Sequence, residues 1–311
     1  MLDLGQKIGT YLMEAIDSIR INFNPDQLFI LNLCLGFLMF GVALDLKLSH
    51  FKMVFDAPKS SIVGLSSQWV LLPILTLGLI MLFKPPASMA LGMILIASCP
   101  GGNVSNFAVH LAGANAALSI FLTSITTLFA VVLTPLYFTL LAPIIPEAAI
   151  FSPSIQISFW EMIWTILQLI VFPLMLGMIL NHRFPHFCEQ IHRPVRLISI
   201  LIFLAFVVVA IYSNFENIVN YLHFVFLIVL VHNGTALLMG YWFARMNRLE
   251  ERDARAISIE TGIQNSGLGL ILIFNFFDGL GGMALIAAWW GVWHLIAAFS
   301  LAMWWGRQAA S

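Results

Sequence analysis

The stretch Ile259 to Gly267, I-E-T-G-I-Q-N-S-G, sets one carboxylate, several amide and hydroxyl side chains and two glycines in the middle of strongly apolar chain. An ionisable group at membrane depth costs about 2.5 to 3.5 kcal/mol on insertion scales, so Glu260 is expected to face protein or a water-filled cavity and to do chemistry there. A second polar stretch, C-P-G-G-N-V-S-N from Cys99 to Asn106, is also centred in an apolar run. Pro100 removes a backbone donor and Gly101 and Gly102 relax the dihedral limits, so a helix is expected to stop near Ser98 and resume near Ser105. Unwound backbone at this depth survives only where it is buried or lines a cavity, and its freed carbonyls suit a small cation.

Around Glu260 the carbonyls of Thr261 and Ile263 and the side chain of Gln264 form such a donor set. Ser119 and Thr123 stand four residues apart on one helical face, with Thr126 and Thr127 a turn further. Gln68 is another uncharged polar group at depth, ahead of W-V-L-L-P. One carboxylate with amides, hydroxyls and carbonyls is a donor set for a hard monovalent cation, and sodium fits it better than a transition metal. A single carboxylate also suits a proton carrier, so proton coupling stays open. His110, His232 and His294 read as packing histidines. Paired carboxylates, an H-E-x-x-H motif and a nucleophile with a placed base do not occur in the spans, so the chain is not read as an enzyme.

The elements that must hold these groups follow from composition. Of 311 residues, 60% are hydrophobic and 9% charged, against about 25% charged in soluble domains, and the mean hydropathy is +0.95. A polytopic all-α protein in a lipid bilayer is expected, with little length left for a soluble domain. The net charge of -1 argues against a nucleic-acid partner, and no protein partner is evident; the three cysteines show neither disulfide nor metal spacing.

Apolar runs place nine spans at 27–46, 60–83, 87–112, 116–142, 156–181, 195–213, 218–244, 254–277 and 281–305. Lys47, Lys52, Lys59, Arg183, Arg193, Arg196, Arg245, Arg248, Arg252, Arg255 and Arg307 then fall on one side, and Lys7, Arg20 and Lys84 on the other. By the positive-inside rule the N-terminus is outside and the C-terminus cytoplasmic, in a plasma (inner) membrane. Residues 1–26 lack the continuous apolar core of a cleaved signal. Leu4, Ile8, Leu12, Ala15, Ile16 and Ile19 recur at helical spacing against Lys7, Asp17 and Arg20, which predicts an interfacial helix.

Leu38 to Leu44, L-M-F-G-V-A-L, has a counterpart in Leu174 to Leu180, L-M-L-G-M-I-L, and the two polar breaks form a second pair. An inverted repeat of four plus five spans is expected, in which two discontinuous helices bracket a site near the midplane.

At these residues the sequence resembles the bile acid:sodium symporter family over residues 27–306. The resemblance is carried by C-P-G-G-N-V-S-N with A-L-S-I-F-L-T-S and by E-T-G-I-Q-N-S-G-L, with V-H-N-G at 231–234 and V-W-H at 292–294 in support. It implies a core domain (60–142 and 218–306) with two crossing discontinuous helices, and a panel domain (27–59 and 155–217) that moves against it. Carried over by position, one sodium site uses Ser105, Asn106, Ser119, Thr123 and Glu260. The other uses Gln68, Glu260, Gln264 and the carbonyls of Thr261 and Ile263. Asn103, Asn265 and His294 would face the substrate, an organic anion imported with sodium by alternating access. The alternatives are a proton-coupled or uncoupled anion carrier on the same fold and, remotely, a membrane-embedded enzyme. Two departures stand out. The nine-span layout is expected without the leading span of the ten-helix bacterial members, and Leu295 stands after the Trp-His pair where bacterial relatives often carry Asn. One polar substrate contact is therefore missing, and bile acids and small carboxylates such as pantoate both stay open as substrate.

Overall fold

The computed structural model describes residues 16–17, 25–44, 57–145, 159–191, 194–195, 197–198, 201 and 215–310. Nearly all of these residues are helical, and no strand longer than an isolated bridge occurs among them. Most of the 195–213 span, Lys47, Lys52 and all of residues 1–24 except Ile16 and Asp17 lie outside the described residues. Those two residues are helical, Ile16 is buried, and the Asp17 carboxylate accepts a bond of 2.9 Å from the Ser88 N–H.

The first apolar run forms α1 (Pro25–Ala43), with proline at its first position, where the missing N–H costs nothing. The second forms α2 (Pro58–Phe83) and the fifth α6 (Phe159–Arg183). Each of these two contains a π-turn, Ser67–Leu71 in α2 and Leu167–Val171 in α6, just ahead of Pro73 and Pro173. A proline ring clashes with the carbonyl four residues back, and a wider turn relieves the clash without ending the helix. Gln68 sits in the first of these turns, buried at 4% exposure.

The third run breaks into α3 (Ala87–Ser98) and α4 (Ser105–Leu111), and the eighth into α8 (Glu251–Gly262) and α9 (Ser266–Phe276). Between them run α5 (Ala116–Leu141), α7 (Phe215–Met246) and, last, α10 (Gly281–Ala310). At 1.5 Å per residue, each half-helix reaches about 18 Å or less and cannot cross a hydrocarbon layer of about 30 Å alone. Every residue of α3 is buried, as is α9 from Ser266 to Phe274, so both broken helices lie at the centre. Among the described residues, five helices are long and apolar enough to span a membrane: Pro58–Phe83, Ala116–Ile144, Phe159–Arg183, Val225–Met246 and Gly281–Gln308. They and α1 turn large apolar side chains outward, among them Phe29, Leu82, Trp160, Phe172 and Trp242. Such a surface suits lipid and not water.

Helix α1 packs against α6 through small residues. A Cβ on Gly177 would lie 2.6 Å from the Ala43 Cβ and 2.8 Å from the Phe40 carbonyl oxygen. The two heptapeptides paired in the sequence thus touch one another. Gly177→Ala is expected to lower the melting temperature of the detergent-purified protein. Overpacking costs about 1–3 kcal/mol and outweighs the roughly 0.5–1 kcal/mol that alanine gains over glycine in a helix. Gly78 has nothing within 4 Å of its Cβ position, so Gly78→Ala should raise the melting temperature instead. Equal shifts in the two variants would contradict the packing.

At one end of the bundle Asp253 accepts a short bond from Ser60 and a bond of 2.7 Å from Asn115, tying α2, α5 and α8 together. Nearby, burial acts to raise the Glu251 carboxyl, but hydrogen bonds from Arg255 and Tyr241 outweigh it and hold the group below the usual carboxylate value. The Glu251 pairing with Arg255 therefore persists at neutral pH and is lost only in acid.

Candidate functional site

The expected stop at Ser98 and restart at Ser105 both fall where predicted. After Ser98 the chain is extended at Cys99 (φ -72°, ψ 156°), and after Gly262 it is extended at Ile263 (φ -107°, ψ 106°). The two extended stretches pair antiparallel across Gly101 and Gln264. The Gly102 N–H donates to the Ile263 carbonyl at 2.9 Å, and the Asn265 N–H donates to the Pro100 carbonyl at 2.8 Å. Four helix ends therefore meet at one point with their backbone groups largely satisfied by one another. Glycine is required for this approach, because a Cβ on Gly102 would sit 2.9 Å from the Ile263 Cγ2 and 3.3 Å from the Gln264 carbonyl oxygen.

Glu260, fully buried, lies against this crossing. Its Oε1 accepts short bonds from the Ser105 and Ser119 hydroxyls and a bond of 2.9 Å from Thr123. Its Oε2 accepts from Thr123 at 3.0 Å and from the Gln68 amide at 3.4 Å. The Asn106 Oδ1 accepts from Ser119 at 2.8 Å and from Thr123 at 3.5 Å. The structure thus gathers Ser105, Asn106, Ser119, Thr123, Gln68 and Glu260 from α4, α5, α2 and α8 into one cluster. Gln264 donates to the Thr261 carbonyl at 3.0 Å, which places it on the same turn.

No charged side chain balances Glu260 in this contact set, and a buried carboxylate without a counter-charge is expensive. Two buried acceptors, the Gln68 Oε1 and the Gln264 Oε1, have no hydrogen-bond partner among the described residues. A Cβ on Gly101 would lie 3.0 Å from the Glu260 Oε2, 3.3 Å from the Gln68 Oε1 and 3.5 Å from the Thr126 Oγ1. The bare glycine therefore leaves a small space rimmed by oxygens. Orphaned acceptors beside an uncompensated carboxylate fit a small cation that takes oxygen ligands. Among the described residues no group of three His, Cys, Asp or Glu side chains comes together, so a site for a soft metal is not formed by them.

The candidate substrate residues are placed less tightly. Asn103 is half-buried one residue beyond Gly102, and Asn265 caps α9 by accepting from the Leu268 N–H at 3.0 Å. His294 is buried on α10, its Nδ1 without a partner among the described residues, three residues past Gly291, which packs on the Ser266 hydroxyl. His232 is a packing residue, bonded through Nε2 to Thr76 at 2.8 Å with its ring edge-on to Trp290, whereas His110 is exposed. Thr126 accepts from the Gly101 N–H at 3.2 Å. Three participants carried no role in the sequence reading. Ser67 shares a hydrogen bond of 2.7 Å with Thr261, Thr134 donates to the Ser98 carbonyl at 2.8 Å, and Asn233 donates to the Gly262 carbonyl at 2.7 Å. Each meets a partner far away in sequence, and only Asn233 stood in a motif, V-H-N-G.

The sequence profile of the sodium bile acid symporter family matches residues 32–221, which include the first break and Gln68 and stop short of Glu260. An uncharacterized sodium-dependent transporter of Bacillus subtilis (strain 168), YocS, is 33% identical over 274 residues, covering 88% of this chain and 82% of the relative. An alignment of that extent within 311 residues takes in both breaks. Two probable chloroplastic sodium/metabolite cotransporters are also similar. BASS2 of Oryza sativa subsp. japonica is 30% identical over 82% of this chain and 62% of its own length. BASS1 of Arabidopsis thaliana is 30% identical over 87% and 65%. This chain thus spans a little under two thirds of each plant protein.

Proposed function

This chain belongs to the sodium bile acid symporter family of multi-pass membrane transporters, and from that premise we propose that it imports an organic anion in symport with sodium. The observation that carries the proposal is the pair of orphaned acceptors, Gln68 Oε1 and Gln264 Oε1, beside a buried Glu260 that has no counter-charge in its contact set. Ser105, Asn106, Ser119, Thr123 and Glu260 would hold one ion. Gln68, Gln264, Glu260 and the carbonyls of Thr261 and Ile263 would hold the other. A bound sodium supplies the positive charge that Glu260 lacks. A hydroxyl that donates to a carboxylate keeps acceptor lone pairs, so Ser105, Ser119 and Thr123 can turn the same oxygens from the carboxylate to a ligand. Glu260 belongs to both sets and thereby couples them.

Asn103 and Asn265 flank the antiparallel crossing on its two strands, and with His294 they would orient the anion beside it. Nine spans in a four-plus-five inverted repeat, with the N-terminus outside, would set the core segments 60–142 and 218–306 against the panel segments 27–59 and 155–217. Movement between the two would change which side of the membrane reaches the crossing. Bile acids and small carboxylates such as pantoate are the substrate classes to test.

If two sodium ions accompany one monovalent anion, one net positive charge enters per cycle, and each 100 mV adds about 2.3 kcal/mol of drive. Uptake of labelled taurocholate and pantoate into proteoliposomes is expected to require an inward sodium gradient and to rise with a negative interior potential. Equal uptake with and without sodium would contradict symport, and uptake driven by a proton gradient alone would assign the coupling to protons.

A further inference from the structure

We infer that Asn233 is a positioning residue for the cation site, setting from α7 the direction in which the carbonyls at the end of α8 point; the inference rests on the reading that the crossing binds sodium. The last turn of a helix leaves its carbonyls without intrahelical partners. In α8 most of them find donors within the breaks: Ile259 from the Ile263 N–H at 3.0 Å, Thr261 from the Gln264 amide at 3.0 Å, and Ile263 from the Gly102 N–H at 2.9 Å. The Gly262 carbonyl is the exception. Its donor is the Asn233 Nδ2 at 2.7 Å, a fully buried side chain of another helix.

The direction of that bond matters because Ile263 is extended, with φ -107° and ψ 106°. In extended chain successive carbonyls point to opposite sides. Holding the Gly262 oxygen towards α7 turns the Ile263 oxygen the other way, to the side where Gly102 and the crossing lie. Ile263 is one of the two carbonyls in the proposed donor set, so one amide on α7 orients an ion ligand it does not touch.

The surrounding contacts make Asn233 a fixed point. Asn233, Leu237 and Gly240 lie on one face of α7 at spacings of four and three. The Leu237 carbonyl accepts from Ser258 at 2.7 Å, and a Cβ on Gly240 would come within 2.9 Å of the Thr261 hydroxyl oxygen. The face is thus clamped to α8 on one side of Asn233. The Asn233 Oδ1 is buried and has no partner among the described residues. A serine hydroxyl, such as that of Ser258 on the Leu237 carbonyl, also donates but reaches less far, so the longer amide fits a need for reach and direction.

The test is a sodium titration of thermal stability on the purified full chain at constant ionic strength, comparing wild type with Asn233→Leu and with Leu237→Ala. The last loosens the same helix pair without releasing a carbonyl. For Asn233→Leu the sodium midpoint is expected to rise about tenfold or more, the size found when a residue that orients a metal ligand is removed, and the steepness of the titration to fall from near two towards one. Leu237→Ala is expected to lower the sodium-free melting temperature with the midpoint unchanged. If Asn233→Leu does not fold, Asn233→Ala, which also removes the donor, is read in the same way. A wild-type midpoint and steepness in the Asn233 variant, whatever its melting temperature, would overturn the inference alone. A wild-type protein with no sodium response would overturn the cation site and the inference together.

Discussion

Glu260→Gln is expected to raise the sodium concentration needed for stabilisation and uptake by about a hundredfold or more. The substitution is nearly isosteric, and the remaining amide oxygen still accepts from Ser105, Ser119 or Thr123, so the cluster should stay folded. What disappears is the only charge in the cluster, and it belongs to both proposed ion sites. Removing one partner of a buried charge interaction costs about 3–5 kcal/mol, and each 1.4 kcal/mol is a factor of ten in affinity. The variant also separates the two couplings. A sodium symporter should need far more sodium, whereas a proton carrier made permanently neutral should lose its pH dependence and leave any sodium effect unchanged. Thermal stability and uptake measured across sodium concentration and pH in wild type and variant distinguish the outcomes.

The second large effect is expected from Gly101→Ala, which adds a single methyl group. Gly101 is not among the residues with positive φ, so alanine fits its backbone and the effect comes from occupied space. The new carbon would stand 3.0 Å from the Glu260 Oε2 and 3.3 Å from the Gln68 Oε1, inside the space rimmed by oxygens. It would also lie 3.5 Å from Thr126, whose hydroxyl holds the Gly101 N–H. Sodium-dependent uptake should be lost while the melting temperature in sodium-free buffer stays within a few degrees of wild type, about the shift expected from 1 kcal/mol in a chain of this size. A wild-type sodium midpoint in this variant would place the ion elsewhere.

The centre of the molecule was readable because proline, paired glycines and a carboxylate in apolar chain each have a fixed physical consequence. Pro100, Gly101 and Gly102 mark the first break, and the polar, glycine-interrupted stretch that follows Glu260 marks the second. The π-turns at Ser67–Leu71 and Leu167–Val171 were not expected, because a proline in a helix can be relieved by a kink, a break or a wider turn, and packing decides among these. The pairing of L-M-F-G-V-A-L with L-M-L-G-M-I-L pointed to a repeat. It also marks a contact, Gly177 on Phe40 and Ala43, which likeness in sequence does not reveal. In the sequence Asn233 stands out only as part of V-H-N-G. Its partner is a backbone carbonyl 29 residues away, and a backbone carbonyl leaves no mark on the sequence. Asn265, proposed to face the substrate, caps α9, a role its position ahead of S-G-L-G-L-I-L fits.

Equilibrium binding of radioactive sodium to the purified protein tests the central claim most directly, because it requires no knowledge of the anion. Saturable binding approaching about two ions per chain, displaced by unlabelled sodium but not by potassium and absent from Glu260→Gln, is the predicted result. Binding that does not saturate, or that survives unchanged in Glu260→Gln, would contradict a sodium site at the crossing of the two broken helices.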